Sequence, residues 1–304
     1  MRIVSVLPSA TEIVWTLGHG HELVARSEEC DYPPEARRLP AVMRPRTRDF
    51  ELPSAAIDAR VQSVRSRQES LYELDIPALQ RLNPDLLLTQ DLCGVCSVTD
   101  AEVASACATA GIAPRIVSLA PRTLEEVAAS LEQVGEAIGD PAAGRTAADH
   151  FRSRVRPVGP TISADRVAIV EWLDPPILAG LWAPDQVRAA GGVALATRSG
   201  APGVRTEWGA LGELRPDLVI LAPCSFPVER TRREIASTPS VRAALGRIHP
   251  RHGIWIADEA YFSRPGPRLA DGVDLIRDLL RGVLPRGRLP IEPWSPEAPT
   301  GGSP

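Results

Sequence analysis

Short apolar segments alternate with segments of helical periodicity along most of the chain. The apolar segments are rich in Val, Ile and Leu, and they include RIVSVL, LVAR, DLLLT, PRIVSL, RVAIVEW, DLVILA and GIWIA. Short runs of this composition predict buried strands, and the helical segments between them predict crossover helices. This alternation is typical of α/β units built on a parallel sheet.

Three helix starts carry a Ser/Thr-x-x-Glu signature. Ser9 precedes Glu12, Thr99 precedes Glu102, and Thr123 precedes Glu126. In a capping box of this kind, the hydroxyl and the carboxylate each accept a hydrogen bond from a backbone N–H that the helix leaves unpaired. The signature therefore predicts that helices begin just after Ser9, Thr99 and Thr123.

One sequence element occurs in both halves of the chain. Leu-x-Pro-Asp-Leu occupies residues 82–86 and again 214–218, and each copy is followed by an apolar run and then a cysteine. In each copy the proline ends a helix and the apolar run forms a strand. Two copies of this element predict two α/β lobes, residues 1–120 and 160–284.

Two segments lack the alternating pattern. Residues 121–159 are helical in pattern except at Gly139-Asp140-Pro141, and they predict a helical connection between the lobes. Residues 285–304 contain six prolines and little periodicity. That composition predicts a disordered tail.

Charge and hydropathy narrow the class of protein. The net charge of −4 provides no basic surface for nucleic acid, and no apolar run is long enough to span a membrane. The first residues contain neither the apolar core nor the cleavage site of a signal peptide. On that ground the sequence predicts a protein of the cytoplasm.

The basic residues are unusual because all 34 are Arg. A Walker A loop requires Lys on the nucleotide phosphates, and a Schiff-base enzyme requires a Lys amine. The absence of Lys from the sequence excludes both classes.

Four of the five cysteines follow predicted strands, and these are Cys30, Cys93, Cys96 and Cys224. Ligands of open α/β sheets bind at the carboxyl ends of the strands. Four thiolates at such a place suit zinc or an iron-sulfur cluster. The same placement also fits thiol or redox chemistry, and it fits small buried residues without chemistry. Cys107 instead lies on an apolar helix face and is predicted to belong to the core.

Proline-rich loops that carry aromatic residues are the other candidate site. Rigid loops with aromatic faces suit a large flat ligand, because stacking and apolar burial need preformed walls. The alternative is that these side chains pack between the lobes. The candidate ligand-binding residues are Tyr32, Pro33, Trp172, Trp182, Tyr261, Phe262 and Arg264.

Several stretches together resemble the helical-backbone family of substrate-binding proteins, in the branch similar to the cobalamin receptor of ABC importers. The stretches are RIVSVLPSATEIVWTLG, ECDYPPEAR, LNPDLLLTQDLCGVCSV, EWLDPPILAGLW and YFSRPGPRLADG. The resemblance implies two Rossmann-like lobes joined by a rigid connecting helix, with a ligand held in the cleft between the lobes. It also implies binding without turnover, and cobalamin as the ligand.

Three functions remain open at this stage. The chain could hold cobalamin or another tetrapyrrole-like ring. It could be a metal protein, an iron-sulfur protein or a thiol enzyme that uses Cys30, Cys93, Cys96 and Cys224. It could also dock on an ABC permease, which would require export. Whether the protein is an enzyme is left undecided by the sequence.

Overall fold

The computed structural model describes residues 1–47, 51–67, 70–91, 98–157, 165–284 and 289–296. The chain divides into two compact units. Unit 1 consists of Met1–Leu52, Ala59–Pro121 and Glu125–Ser153. Unit 2 consists of Pro53–Asp58, Arg122–Leu124 and Arg154–Pro304.

Unit 1 is built on a six-stranded sheet in the order β4-β3-β2-β1-β5-β6. All neighbouring pairs are parallel except β3 and β4, which are antiparallel. The strands are β1 (Ile3–Ser5), β2 (Leu23–Ser27), β3 (Ala41–Pro45), β4 (Tyr72–Leu74), β5 (Leu86–Gln90) and β6 (Arg115–Leu119). The strand order reverses at β1, which lies between β2 and β5.

The helices of the first half of the chain connect these strands, with short 3-10 turns at Gly20–Glu22 and Pro34–Arg38. They are α1 (Pro8–Thr16), α2 (Ser54–Ser66), α3 (Ile76–Leu82), α4 (Asp100–Ala110), α5 (Leu124–Ile138) and α6 (Pro141–Val155). The first residues of α2 group with unit 2.

Unit 2 is built on a seven-stranded sheet in the order β10-β8-β7-β11-β12-β13, and β9 also pairs with β7. Its strands are β7 (Arg166–Leu173), β8 (Pro176–Leu178), β9 (Val193–Ala194), β10 (Val204–Arg205), β11 (Leu218–Leu221), β12 (Ile254–Ala257) and β13 (Ile291–Trp294). Its helices are α7 (Ala183–Ala190), α8 (Trp208–Glu213), α9 (Val228–Ser237), α10 (Pro239–Leu245) and α11 (Leu269–Leu280). The central pairs β7/β11 and β11/β12 are parallel.

Each unit has its own hydrophobic core on its own sheet. The central strands β5, β11 and β12 are buried along their apolar residues, as expected for parallel strands covered by helices on both faces. Cys107 packs in the core of unit 1, as predicted. The predicted α/β class with two lobes is confirmed.

Of the three predicted capping boxes, that at Thr99 is confirmed and that at Ser9 is wrong. Helix α5 begins directly after Thr123, and the capping box there stays a prediction. The Thr99 hydroxyl accepts from the Glu102 N–H at 3.2 Å, and the Glu102 carboxylate accepts from the Thr99 N–H at 2.7 Å. Helix α1 instead begins at Pro8, with Leu7 as its N-cap, and Ser9 lies inside the first turn. Proline is preorganised for the first helical position, so it places the helix start two residues earlier than predicted.

Two helices separated by a short turn occupy the segment predicted to be helical, and the turn falls at Gly139 and Asp140 as expected. Their backbones approach closely at two glycines, because a Cβ on Gly135 would lie 2.7 Å from the Gly144 Cα. Residues Glu125–Ser153 group with unit 1, and the chain returns to unit 2 at Arg154.

The segment predicted to be a disordered tail contains a strand, so that prediction is wrong for residues 291–294. Strand β13 pairs antiparallel with β12, and Trp294 packs against the core of unit 2. Pro293 is tolerated because β13 lies at the edge of the sheet, where one side of the strand needs no partner.

Candidate functional site

In unit 1, the loop that follows β2 carries the predicted Tyr32-Pro33 pair. The Tyr32 side chain is exposed, with 46% of its surface accessible, whereas Cys30 just before it is buried. Pro33 precedes the 3-10 turn at Pro34–Arg38, which anchors the loop. The loop therefore presents one aromatic face to solvent at the carboxyl end of a parallel strand, where ligands of α/β sheets bind.

Cys30 belongs to a buried cluster of hydroxyl groups. The Thr11 Oγ1 atom lies 3.1 Å from Cys30 Sγ, 2.9 Å from Ser5 Oγ and 3.3 Å from the Leu7 carbonyl oxygen. The Ser5 hydroxyl itself donates to the Leu7 carbonyl at 3.0 Å. Because a hydroxyl carries one hydrogen, Thr11 donates to only one of its three neighbours. The cluster joins β1, α1 and the loop after β2, and it gives Cys30 a structural environment.

In unit 2, Trp172 lies at the carboxyl end of β7 and is partly buried. Its indole N–H donates to the Ser54 carbonyl at 3.2 Å. Its ring packs against Phe226, with the centroids 5.3 Å apart and the planes tilted by 57°. The Arg230 guanidinium covers the Phe226 ring at 4.0 Å from its centroid. Trp172 is thus oriented by a hydrogen bond and by an aromatic neighbour.

Trp182, Tyr261 and Phe262 are buried in unit 2. The Trp182 indole N–H donates to the Phe262 carbonyl at 2.6 Å, and the Gln186 amide donates to the Tyr261 carbonyl at 2.9 Å. Burial raises the pKa of the Tyr261 phenol, with a smaller opposing effect of Arg268. These contacts attach the turn after β12 to α7. The ligand role of these three residues stays a prediction.

Arg264 lies just beyond that turn and forms an ion pair with Glu259. The Arg264 Nη2 atom is 2.7 Å from a Glu259 carboxylate oxygen, and both side chains are largely buried. A buried pair of this kind holds the turn in place, because removing either partner leaves a buried charge uncompensated. Its predicted contact with ligand also stays a prediction.

The predicted metal ligands are only partly described. Cys93 and Cys96 lie outside the described residues. Cys30 is buried in unit 1, and Cys224 is exposed after β11 in unit 2. Within the described ranges, no group of three or more His, Cys, Asp or Glu side chains could hold a metal ion. A four-thiolate site for zinc or an iron-sulfur cluster is therefore not shown.

Sequence reasoning missed four residues around Trp172. They are Ser54, Phe226, Arg230 and Glu234. One signal was available, because Arg230 and Glu234 are four residues apart on the amphipathic helix α9, and Phe226 lies just before that helix at the same spacing. The contact of Ser54 with Trp172 had no signal, because 118 residues separate the two in the sequence.

Solved structures of periplasmic binding proteins share this architecture. A periplasmic heme-binding protein from Pseudomonas aeruginosa matches with a TM-score of 0.69 at 20% identity, over 97% of this chain and 98% of that chain. The periplasmic vitamin B12-binding protein of Vibrio cholerae matches with a TM-score of 0.62 at 22% identity, over 92% and 96%. The chain has the fold of periplasmic substrate-binding proteins. This fold confirms the resemblance to the helical-backbone substrate-binding proteins.

Sequence comparison agrees with the fold. A vitamin B12-binding protein from Vibrio cholerae serotype O1 is 23% identical over 296 residues, which is 92% of this chain and 89% of the relative. No protein-family model matches the chain. The similarity therefore extends over nearly the whole substrate-binding-protein fold and includes the branch predicted from the sequence.

The predicted cytoplasmic location is wrong. The heme-binding and vitamin B12-binding proteins that match this chain over more than nine-tenths of both chains are periplasmic. The sequence predicts a permease partner only if the protein is exported. That reservation conflicts with the same finding, because these similar proteins are periplasmic. The first residues of a chain are a poor guide to its compartment, because an export leader is removed from the mature protein. No helix among the described residues is long and apolar enough to cross a membrane.

Proposed function

We propose that this protein is the periplasmic substrate-binding protein of an ABC importer and that its ligand is cobalamin or a related corrinoid. A relative that spans most of the chain is a vitamin B12-binding protein, and one structural neighbour binds the same vitamin. In this proposal the protein binds and releases its ligand without turnover, and an ABC permease is its partner.

The observation that carries the proposal is the oriented ring of Trp172 at the carboxyl end of β7. A corrinoid offers a wide, flat, largely apolar face, and a fixed indole can stack on such a face with little loss of side-chain entropy. In unit 1, Tyr32 is exposed at the carboxyl end of β2 and remains a proposed ligand contact of that unit. Pro33 stiffens the loop that carries Tyr32.

The proposal gives the turn after β12 a supporting role. The residues concerned are Trp182, Tyr261, Phe262 and Arg264. Their contacts with one another and with α7 hold the turn after β12, which lies at the same edge of the sheet as Trp172. We propose that the ligand contacts this turn through the outer surface of these residues, and that the turn acts as a rigid wall.

Titration with cyanocobalamin tests the proposal. We expect saturable binding by isothermal titration calorimetry, and we expect Trp172→Ala to weaken the affinity by about tenfold or more, as for a central aromatic contact. The matched control is Trp255→Phe. The Trp255 indole N–H bonds to its own neighbouring backbone at His252, so this variant should bind as tightly as the wild type. Absence of saturable binding in the wild type would overturn the corrinoid proposal.

Heme is the second candidate ligand, because the heme-binding neighbour superposes on a larger share of the chain than the vitamin B12-binding neighbour does. Heme carries two carboxylates, whereas the corrinoid side chains are mostly uncharged amides. The same titration with hemin, followed by its visible absorption, separates the two ligands. Tight binding of hemin and none of cyanocobalamin would assign the protein to heme.

A further inference from the structure

We infer that Glu234 and Ser54 act as a positioning pair that fixes the orientation of the Trp172 ring. This inference rests on the proposed function in one respect, which is that Trp172 contacts the ligand. The geometry of the pair itself is independent of any ligand, because all three residues lie in unit 2.

Glu234 holds the first residue of α2. One of its carboxylate oxygens accepts hydrogen bonds from both the Ser54 N–H and the Ser54 hydroxyl, each at 2.6 Å. Ser54 is fully buried and Glu234 is 7% exposed. Hydrogen bonds to an ionised acceptor are short and strong, particularly when they are shielded from water. The Ser54 peptide is therefore held in one place.

That fixed peptide in turn holds Trp172. The Ser54 carbonyl accepts the Trp172 indole N–H at 3.2 Å, in a partly buried setting. A carbonyl oxygen has two lone pairs, so Ser54 can accept this bond and still accept the intrahelical bond of α2. An indole has only this one hydrogen-bond donor, and its partner decides which way the ring faces.

A second contact of the ring comes from the loop that leads into α9, the helix that carries Glu234. Phe226 packs on Trp172, and the Arg230 guanidinium lies over Phe226. Arg230 and Glu234 are four residues apart on α9, so they lie on one face of that helix. The segment from Phe226 to Glu234 therefore contacts Trp172 in two ways. Phe226 packs on the ring, and Glu234 acts on the indole N–H through Ser54.

A ring that is already oriented loses less rotational freedom when a ligand stacks on it. Preorganisation of this kind increases affinity mainly by reducing the cost of ordering side chains on binding. We expect the loss of the positioning pair to weaken cyanocobalamin binding by about three- to tenfold, which is the ordering cost of one side chain.

The first test uses the protein without ligand. Glu234→Ala removes the acceptor of both Ser54 donors, so the Trp172 ring should become mobile and more accessible to water. We expect a red-shifted Trp172 emission and stronger quenching by acrylamide. The Trp172 contribution is obtained by subtracting the spectrum of the same protein with Trp172→Phe, because the chain has six tryptophans.

Two further variants separate positioning from a general loss of structure. Asp58→Asn breaks the ion pair between Asp58 and Arg205, whose atoms lie 2.7 Å apart near the same helix start, and should leave Trp172 emission unchanged. Glu234→Gln keeps an oxygen that can accept from Ser54, so it should restore most of the wild-type emission and affinity. If Glu234→Ala has the same Trp172 emission as the wild type, or if Asp58→Asn changes that emission as much as Glu234→Ala does, the inference is overturned.

The second test measures cyanocobalamin affinity in the same variants. We expect the affinity order wild type, Glu234→Gln, then Glu234→Ala, with Asp58→Asn equal to the wild type. A wild type that binds no cyanocobalamin would refute the proposed ligand, and the ligand-free emission would still decide the positioning role. Equal affinity in Glu234→Ala and wild type would overturn the contribution to binding.

Discussion

At the scale of the residue, the aromatic side chains predicted for one ligand site divide by accessibility. Tyr32 is exposed and Trp172 is partly buried. Trp182 and Phe262 are buried inside unit 2, where the Trp182 indole N–H donates to the Phe262 carbonyl. Proline-rich loops suit aromatic residues in either role, because the same ring can stack on a ligand or anchor a turn. The accessibility of each ring in the folded chain distinguishes the two roles.

The turn that carries Tyr261 depends on one glycine. Gly272 lies in α11, and a Cβ at this position would be 2.3 Å from the Tyr261 carbonyl oxygen and 2.7 Å from the Gln186 amide nitrogen. We expect Gly272→Ala to lower the free energy of unfolding by about 2 kcal/mol, because overpacking outweighs the gain in helix propensity. Urea denaturation measures this difference.

Gly209→Ala is the matched control for this prediction. Gly209 also lies in a helix, α8, but a Cβ there would meet no atom within 4 Å. Alanine should therefore be neutral or slightly stabilising at this position. Equal stability of Gly272→Ala and the wild type would contradict the tight packing of α11 against the Tyr261 turn.

At the scale of the element, unit 1 contains a contact between two turns that depends on protonation. His19 precedes the 3-10 turn at Gly20–Glu22, and Asp140 lies in the turn between α5 and α6. His19 Nδ1 is 3.0 Å from Glu22, and His19 Nε2 is 3.3 Å from Asp140. The exposed His21 ring stacks on His19, and the N-terminal amine lies 3.1 Å from Glu22.

The charges in this contact favour the protonated imidazole. The hydrogen bond to Glu22 raises the pKa of His19 above 6.5, and Asp140 adds to the rise against the opposing effect of burial. The hydrogen bond with His19 lowers the pKa of Glu22. The pKa of Asp140 is lowered mainly by its hydrogen bond from the Ala143 N–H, and to a smaller extent by the hydrogen bond with His19. His19 is charged below its raised pKa, and both carboxylates remain charged well into acid.

Stability should therefore depend on pH in a defined direction. The pKa of His19 is higher in the folded state than in the unfolded state. Its contribution to folding stability is therefore complete below pH 6.5, and it is lost as the pH rises through the folded pKa. The lowered pKa values of Glu22 and Asp140 add stability above the unfolded values of 4.5 and 3.8, respectively. This added stability is lost as the pH falls through the folded values. The contact stabilises unit 1 most at mildly acidic pH.

We expect His19→Gln to destabilise the protein more at about pH 5.5 than at pH 8, by the sign rule for a raised pKa. Urea denaturation of variant and wild type at the two pH values measures the difference. His150→Gln, on the exposed face of α6, is the control and should give the same small effect at both pH values. A larger effect of His19→Gln at pH 8 would contradict the assignment.

At the scale of the whole molecule, two units with separate sheets and separate cores match periplasmic binding proteins over nearly their full length. The sequences are only about one-fifth identical, so it is the architecture that persists. A fold hosts many ligands, and the ligand has to be argued from the site. Trp172 and its supporting residues are therefore the part of the molecule on which the ligand assignment depends.

Ligand binding should stabilise the whole protein against heat. A ligand that binds only the folded state at 100 times its dissociation constant adds about 2.7 kcal/mol to the free energy of unfolding. We expect cyanocobalamin at that concentration to raise the melting temperature by several degrees, as measured by calorimetry. Trp172→Ala at the same concentration should show a smaller rise. Identical rises in the two proteins would count against a contact between Trp172 and the ligand.

The sequence by itself determined the class of fold and most of its elements. Strands such as β5, β7 and β11 and the turn between α5 and α6 follow from local periodicity and from Gly and Pro, which act on neighbouring residues. The start of α1 differs from the prediction, because the helix begins at Pro8 and the signature residue Ser9 lies within its first turn.

Tertiary structure alone decided which side chains meet. Glu234 reaches Ser54 across 180 residues of sequence, and strand β13 forms only because β12 offers an edge and the core of unit 2 accepts Trp294. Contacts of this kind depend on how distant segments pack, and no local pattern encodes them. For the same reason the sequence identified Trp172 as a candidate, while only the folded chain showed what holds its ring.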